Sequence, residues 1–486
     1  MNKNMNENMN ENMNDDVVLK VVNLKQHFKT GVGKYRIYNK AVDGVSFEVK
    51  RGEVFSLVGE SGCGKTTTGR TIIKIYKPTD GEVYLLGKRI VAGTLGYIQK
   101  IKEAKKNLKL SIAEIKQSES SEVDKKSKIS DLKNSTKKQI HDLKHEIKHA
   151  KIDQKAKYRP DKELVKERKA DALIKIAELK KLIEQENKQF LKFKATAFAK
   201  SDAISDIESR EKAHKEELEV YRAKRKEKNE KNKHYYAEIV RYQTSPKFFN
   251  RPLLNKMQMI FQDPIDSLDP RMSVKDIIAE SLYINNIKND DIVLEKVYEV
   301  LNIVGLLSEH ADHFPHEFSG GQRQRIGIAR AIISEPQIII ADEPISALDV
   351  SIQAQVINLL NDLRIKLGLT ILFIAHDLSV VKFLSDRIGI MYFGKIVEIG
   401  SKEKVFNNPL HPYTLSLISS IPMPDPNYER ARGANKKYDP RVHDYSVDKP
   451  SMREIEPDHF VFANDAEFES YEKVLKAHNK KVLSDK

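Results

Sequence analysis

"VFSLVGESGCGKTT", residues 54–67, is the stretch on which the rest of the chain turns. Val54–Val58 is a short apolar run that stops at a glycine, and it predicts a buried strand. "GESGCGKT", residues 59–66, then fits G-x-x-x-x-G-K-[ST] and runs into a predicted helix from about Thr66. Glycines let backbone N–H groups wrap a phosphate at the positive end of a helix. Lys65 is placed to reach the outer phosphate oxygens of a nucleoside triphosphate, Thr66 to hold Mg²⁺, and Thr67 to bond the innermost phosphate. A glycine turn with an incidental lysine is the bland alternative; strand and helix on either side argue against it.

Outward from this loop, residues 17–90 read as short strands and turns. Residues 255–400 alternate strand-like runs ("MQMIFQ", "QIIIAD", "TILFIA") with helix-like ones ("VLEKVYEVLNIVGL", "SIQAQVINLLNDLRIKLG"). That alternation predicts an α/β core around a buried parallel sheet. "IIIADEP" ends its strand in Asp342 and Glu343, at the sheet edge where α/β folds bind ligands. Asp342 is the candidate to hold the metal, and Glu343 to orient or deprotonate an attacking water. Gln262, Asp349 and His376 each follow an apolar strand or sit in a turn. Each can line the outermost phosphate, and each taken singly reads as a turn residue or cap. A second phosphate-gripping sequence, "FSGGQ" at 318–322, precedes another amphipathic helix. One nucleotide does not need two such loops so far apart in the chain.

Composition restricts the rest. No window of the 486 residues approaches a membrane span. Cys63 is the single cysteine, so internal disulfides and all-cysteine metal sites are excluded, and a reducing cytosol fits. Residues 1–16 form an Asn/Met-rich repeat without an apolar region, expected to be a disordered tail and not a secretory signal. The net charge is +14, yet residues 91–255 alone hold 42 Lys+Arg against 26 Asp+Glu. That segment can touch anionic lipid or nucleic acid, although a solvated helical surface is the favoured reading.

The same segment departs in pattern. No glycine occurs from Tyr97 to Val304. Apolar residues recur in narrow stripes: Ile98, Ile101, Leu108, Ile112, Ile115; then Ile129, Leu132, Ile140, Leu143, Ile147; then Val165, Ala172, Ile176, Leu179, Ile183, Phe190. These predict coiled-coil-like helices burying against one another, broken at "SESSEV" and at Pro160–Asp161. His141, His145 and His149 share one face of such a helix. Interleaved lysines favour solvated histidines over a metal site. The chain thus divides into 1–16 (tail), 17–90 with 255–400 (α/β domain), 91–254 (helical insertion) and 401–486 (C-terminal extension).

"GESGCGKT", Gln262, "FSGGQ", "IIIADEP", "SALD" and "IAH" occur in that order and together resemble the ATP-binding subunit of ABC transporters: Walker A, Q-loop, signature, Walker B, D-loop and H-loop. The resemblance implies an ABC-type P-loop fold, with 17–90 and 255–400 as the ATPase domain: a RecA-like α/β core, an antiparallel β subdomain and a helical subdomain at about 264–333. It implies ATP and Mg²⁺ as ligands. Gly59, Glu60, Ser61, Gly62, Cys63, Gly64, Lys65, Thr66, Thr67, Gln262, Asp342 and His376 would contact them, with Thr66, Gln262 and Asp342 toward the metal. Glu343, Gln262 and His376 would be catalytic, and Phe28 would stack on adenine. It also resolves the second loop: Ser319, Gly320, Gly321 and Gln322, with Asp349 of the D-loop, would complete a partner subunit's ATP site.

"MIFQDPIDSLDPRMSV", "ADEPISALDVSIQAQVINLL" and "HPYTLSLISSIP" further resemble the F-type ATPases of oligopeptide and dipeptide permeases. The implied partners are a D-type ATPase subunit as heterodimer, two transmembrane permease subunits and, indirectly, an extracellular peptide-binding protein. The implied location is the cytoplasmic face of the membrane. Phe318 replaces the usual signature leucine, and the insertion at about 91–255 is foreign to the pattern. A coiled-coil chromosome-maintenance ATPase and a ribosome-binding ABC factor are the alternatives. The first is disfavoured by the insertion's position before Gln262 and the absence of a Cys-x-x-Cys hook, the second by a single P-loop.

Overall fold

In the computed structural model, residues 16–31, 37–117, 121–154, 162–244, 252–285, 287, 289–421 and 438–484 are described. The expected tail, apart from Asp16, lies outside them, as does the Pro160–Asp161 break.

Two sheets make up the part of the chain that carries the motifs. β1 (Val17–Thr30) and β2 (Ile37–Lys50) pair antiparallel, and with β4 (Asp80–Leu85) and β5 (Lys88–Ala92) they form a sheet of order β2-β1-β4-β5. The second sheet has order β11-β12-β10-β9-β3-β8-β7-β6. Its strands are β3 (Val54–Val58), β6 (Met257–Ile260), β7 (Ile338–Asp342), β8 (Thr370–Ala375), β9 (Arg387–Tyr392), β10 (Lys395–Ser401), β11 (Ser451–Glu456) and β12 (His459–Ala463). From β9 to β6 the pairing is parallel; β10, β12 and β11 continue it antiparallel.

The apolar runs are explained by burial on both faces. Val54, Val58, Ile339, Ala341, Ile371 and Phe373 point into one core. Their neighbours Phe55, Leu57, Ile338, Ile340, Leu372 and Ile374 point into the other. A side chain fully buried in this way contributes about 1.5–3 kcal/mol. The first core is shared with α6 (Val274–Ile284), α7 (Asp290–Ile303), α8 (Gly320–Ile332) and α9 (Val350–Leu367). The second takes in the β1–β2 sheet and Ile72 at the end of α1 (Lys65–Ile72).

Between β5 and β6 the expected helices are present. α2 (Leu95–Gln117) and α3 (Glu122–Asp153) form an antiparallel pair, and Ser121 caps α3 within "SESSEV" by accepting from the Asp124 N–H at 3.2 Å. Their stripes are at most half-buried, and Ile98 is exposed; α2 has no buried residue and α3 only Ala150.

The root of this pair departs from the expectation that the helices bury only against one another. β5 continues past Ile90 to Ala92, and Gly96 N–H donates to Asp80 Oδ1 at 2.8 Å. Arg89, on β5, bonds Asp153 at 2.9 Å, Glu82 at 3.0 Å and Glu146 at 3.1 Å. Lys74, just past α1, donates to the Asp153 carbonyl at 2.9 Å. Burial works against the Glu82 charge. Even so, the Tyr84 and Tyr97 hydroxyls and Arg89 hold its carboxyl below the usual range. Arg89→Ala leaves three carboxylates without their shared cation. We expect a loss of about 1–3 kcal/mol, since the node is only partly buried. Urea unfolding checks this, and an unchanged midpoint would mean the node is solvent-screened.

Residues 158–252 form a separate compact unit. α4 (Lys162–Thr196) and α5 (Ile207–Thr244) pack through Ile176, Leu179, Ile183 and Ile239. Phe190, Phe193 and Phe198 gather around Tyr221, with Lys224 and Lys228 lying over Phe193 and Phe190. The side chains of Val165 and Ala172 lie outside the described residues.

The C-terminal extension carries α11 (Pro412–Ser419) and α12 (Asp465–Ser484), and α10 (Leu378–Leu384) precedes them. The β11–β12 hairpin was not anticipated. Its signal is the alternation in "HFVFA", where His459, Val461 and Ala463 are buried, after a turn at Pro457–Asp458.

Candidate functional site

β3 delivers the chain to Gly59 at the sheet's edge, and α1 begins at Lys65. The loop between them is held from several sides. Gly64 has φ +108, and a Cβ there would sit 2.1 Å from the Ala41 carbonyl oxygen. At Gly59 a Cβ would meet the Met391 carbonyl at 2.1 Å. The Gly394 N–H donates to the Cys63 carbonyl at 2.8 Å. Lys65 is 3% exposed, and its Nζ donates to the carbonyls of Gly59 (2.7 Å) and Glu60 (3.0 Å). Its ammonium lies 3.9 Å from Glu343.

β7 and β8 bring in the carboxylates. Asp342 is fully buried and accepts from the Thr66 hydroxyl at 2.8 Å. Its Oδ2 has no hydrogen-bond partner among the described residues; the nearest cation is Arg70, 3.7 Å away. Burial pushes the Asp342 carboxyl up, partly offset by Thr66 and Arg70. Glu343 turns out of the strand at φ 45, a left-handed conformation that a non-glycine residue holds only when its surroundings enforce it. The Glu343 N–H is tied to the Ile374 carbonyl at 2.9 Å. Its Oε2 accepts from the Gln262 amide at 3.1 Å and lies 3.4 Å from His376 Nδ1.

Ser61, Gln262, Asp263, Glu343, Ser346, Ala347 and His376 line one cavity of about 590 Å³. Sequence candidates from three motifs therefore meet around Glu343. The other candidates have different surroundings. Ser319 caps α8 reciprocally: its Oγ accepts from the Gln322 N–H (3.3 Å), and Gln322 Oε1 from the Ser319 N–H (3.0 Å). Gly321 packs so closely on Ile352 that a Cβ would lie 2.5 Å from it. Phe318 fills the core beneath this loop, as an apolar substitute should. Asp349 caps α9, accepting from the Ile352 N–H at 3.0 Å. Ser319–Gln322 do not line the Glu343 cavity. Phe28 pairs with Asn39 across β1–β2, half-buried, its ring edge-on to Tyr76 at 5.3 Å.

Residues 42–181 and 232–346 match the model of the ABC transporter family. The chain belongs to this family. Its residues 397–446 also match the oligopeptide/dipeptide transporter C-terminal region. The ABC chain is 39% identical over 456 residues to "Oligopeptide transport ATP-binding protein OppF" of Bacillus subtilis, covering 93% of this chain and 98% of that one. It is 57% identical over 224 residues to "Oligopeptide transport ATP-binding protein AmiF" of Streptococcus pneumoniae, 46% of this chain and 72% of that one. The solved structure of cbiO1 from Clostridium perfringens is 18% identical, with a TM-score of 0.42, over 80% of this chain and 91% of that one.

Two residues of this ABC site escaped the sequence reading. Arg70 sits inside α1, one helical turn past Thr66, where nothing but the fold shows it facing Asp342. Tyr413, in "HPYTLS", reaches back to the P-loop: its hydroxyl accepts the Glu60 N–H at 3.0 Å. The histidines of α3 form no metal group, and among the described residues no cluster of three His, Cys, Asp or Glu is placed to hold an ion. His145 and His149 have Nε2 atoms 3.4 Å apart, and His141 lies beside Asp142.

Proposed function

We propose that this chain is the ATP-binding and hydrolysing subunit that powers import of oligopeptides or dipeptides by an ABC transporter. The observation that carries the chemistry is Glu343, which meets Gln262 and His376 in the lining of a cavity that Ser61 of the P-loop also lines. The peptide-permease assignment is supported by the C-terminal match and by relatives bearing that name.

In this reading the P-loop amides and Lys65 hold the β- and γ-phosphates, Thr67 bonds the α-phosphate, and Phe28 faces adenine. Glu343 orients and deprotonates the attacking water. Gln262 and His376 both engage Oε2; Oε1, 3.9 Å from the Lys65 ammonium and beyond hydrogen-bond distance of it, is the oxygen to accept the proton. The donors fit Mg²⁺, a hard cation that takes few protein oxygens and keeps water and phosphate ligands. Thr66 and Asp342 already approach to 2.8 Å, Asp342 Oδ2 is unpartnered, and the Gln262 amide oxygen is not the atom committed to Glu343. Bound there, the ion would neutralise charge on the β- and γ-phosphates.

The capped, exposed Ser319–Gly320 end of α8 presents N–H groups away from this chain's own cavity. It completes the ATP site of a second, D-type ATPase subunit, which returns the favour. Two transmembrane permease subunits anchor the pair at the cytoplasmic face, and an extracellular binding protein delivers peptide. Among the described residues no helix is long and apolar enough to cross a membrane. The basic insertion can lie against anionic lipid, and nucleic acid is not an expected partner. The test is mixing: ATP turnover by this chain should be low when dilute and rise when the second ATPase subunit is added. Full activity of the dilute monomer would refute completion in trans.

A further inference from the structure

The Glu60 N–H, in the P-loop, donates to a side chain and not to the loop itself. Tyr413 supplies its partner, from α11 far along the chain. Tyr413 is 1% exposed, and its ring packs on Tyr392 (4.4 Å between centroids) and Tyr438 (5.5 Å). Burial pushes its hydroxyl far above the ordinary phenol range, so the group stays protonated and presents its lone pair.

Each residue of "HPY" has a part in this placement. His411 is the N-cap of α11, with Nδ1 accepting the Tyr413 N–H at 3.1 Å. Burial and the neighbouring His443 lower His411 to about 3, so the ring is neutral and Nδ1 is free to accept. Pro412 takes the first helical position, where a missing N–H costs nothing. Tyr413 then projects onto the loop. Beneath them the buried Glu398 carboxylate accepts the N–H groups of Leu410 (3.1 Å) and His411 (3.0 Å) and pairs with His459 at 2.8 Å. His459 belongs to the β11–β12 hairpin, so the C-terminal extension is continuous with the support of this loop.

We propose that Tyr413 is a positioning residue for nucleotide binding, its hydroxyl fixing the Glu60 peptide so that the Gly59 and Glu60 carbonyls stay on Lys65 and the remaining N–H groups face phosphate. The inference rests on the P-loop being the nucleotide site. A lone hydrogen bond of this kind corresponds to about 3–10-fold in affinity. Tyr413→Phe, in the full chain, should weaken ADP binding by that factor in calorimetry. In the assembled ATPase pair it should raise KM for ATP and leave kcat within twofold. Hydrogen exchange in the peptide spanning Glu60 should quicken, with little change in α11.

The specific test is a double-mutant cycle. Glu60→Pro removes the donor. Whatever it does by itself, Tyr413→Phe should have no added effect on ADP affinity in that background. Unchanged affinity in Tyr413→Phe overturns the proposal. So does an equal loss in both backgrounds, which would mean the hydroxyl acts through packing. Should Tyr413→Phe lower kcat with KM intact, the residue acts on the chemistry and not on the loop. If wild-type protein binds no ADP, the nucleotide-site reading fails first, and the two failures are distinct.

Discussion

Glu343→Gln should bind nucleotide as wild type does and hydrolyse it about 10²–10⁴-fold more slowly, the usual loss on removing a general base. The substitution is nearly isosteric, and the acceptor for the Gln262 amide survives as the new side-chain oxygen. What disappears is the carboxylate that meets Gln262 and His376 in the cavity; Asp263, the other acid lining it among the described residues, accepts the Ile265 N–H at 2.7 Å and caps the short helix at Pro264. Lys65, Thr66 and Asp342 are untouched, so ground-state contacts to phosphate and metal remain. The backbone at Glu343 keeps its φ of 45 because its N–H bond to Ile374 and the Ser346 N–H bond to its own carbonyl (3.2 Å) do not involve the side chain. Single-turnover hydrolysis and ADP affinity, measured on the assembled pair at the site holding this P-loop, separate the two effects. Near-normal turnover would remove Glu343 from the chemistry. A matching loss of affinity would mean that the carboxylate organises the site and does not act on water.

Much of this site was legible because its signals are local. Gly59–Thr66 carries its own geometry, since glycines, lysine and hydroxyl must occupy fixed positions around a phosphate. β7 and β8 announce themselves as apolar runs because both sheet faces are covered, and each run ends where its functional residue emerges. The helices of the insertion are legible from composition, and their pairing from their stripes. What failed to show was everything that depends on partners distant in sequence. Arg89 is an ordinary exposed-looking strand residue until Glu146 and Asp153 return to it. Tyr413 reads as a helix-start aromatic, and only the fold puts Glu60 above it. The β11–β12 hairpin was missed because its strands are short and polar on one face, and because it gains its stability from pairing with β10 and packing Leu410, Phe468 and Tyr471 over β12. Edge strands of that kind carry little intrinsic signal.

Lys65→Ala is the complementary case, in which affinity itself goes. The Lys65 ammonium is almost fully buried and satisfied by two carbonyls, with Glu343 at 3.9 Å. In the proposed function, charge-assisted bonds to the β- and γ-phosphates would form as soon as the ligand is bound, before any bond breaks. Each such bond contributes about 1.5–3 kcal/mol, so losing two predicts an affinity drop of about 10²-fold or more. A second loss compounds it, since the Gly59 and Glu60 carbonyls no longer have the donor that holds the loop closed. The fold should not suffer in proportion, because the substitution also removes a buried cation whose desolvation is costly. The melting temperature without nucleotide should therefore stay near the wild-type value. At a hundred times its Kd, a non-hydrolysable ATP analogue would stabilise the wild-type chain by about 2.7 kcal/mol, and at the same concentration the variant should gain little. Calorimetry and thermal unfolding with and without a non-hydrolysable ATP analogue, which carries the γ-phosphate, give both numbers. A variant that keeps wild-type affinity would show that Lys65 serves the loop alone. One that unfolds without ligand would show that the lysine, against the desolvation argument, is a structural part of the core.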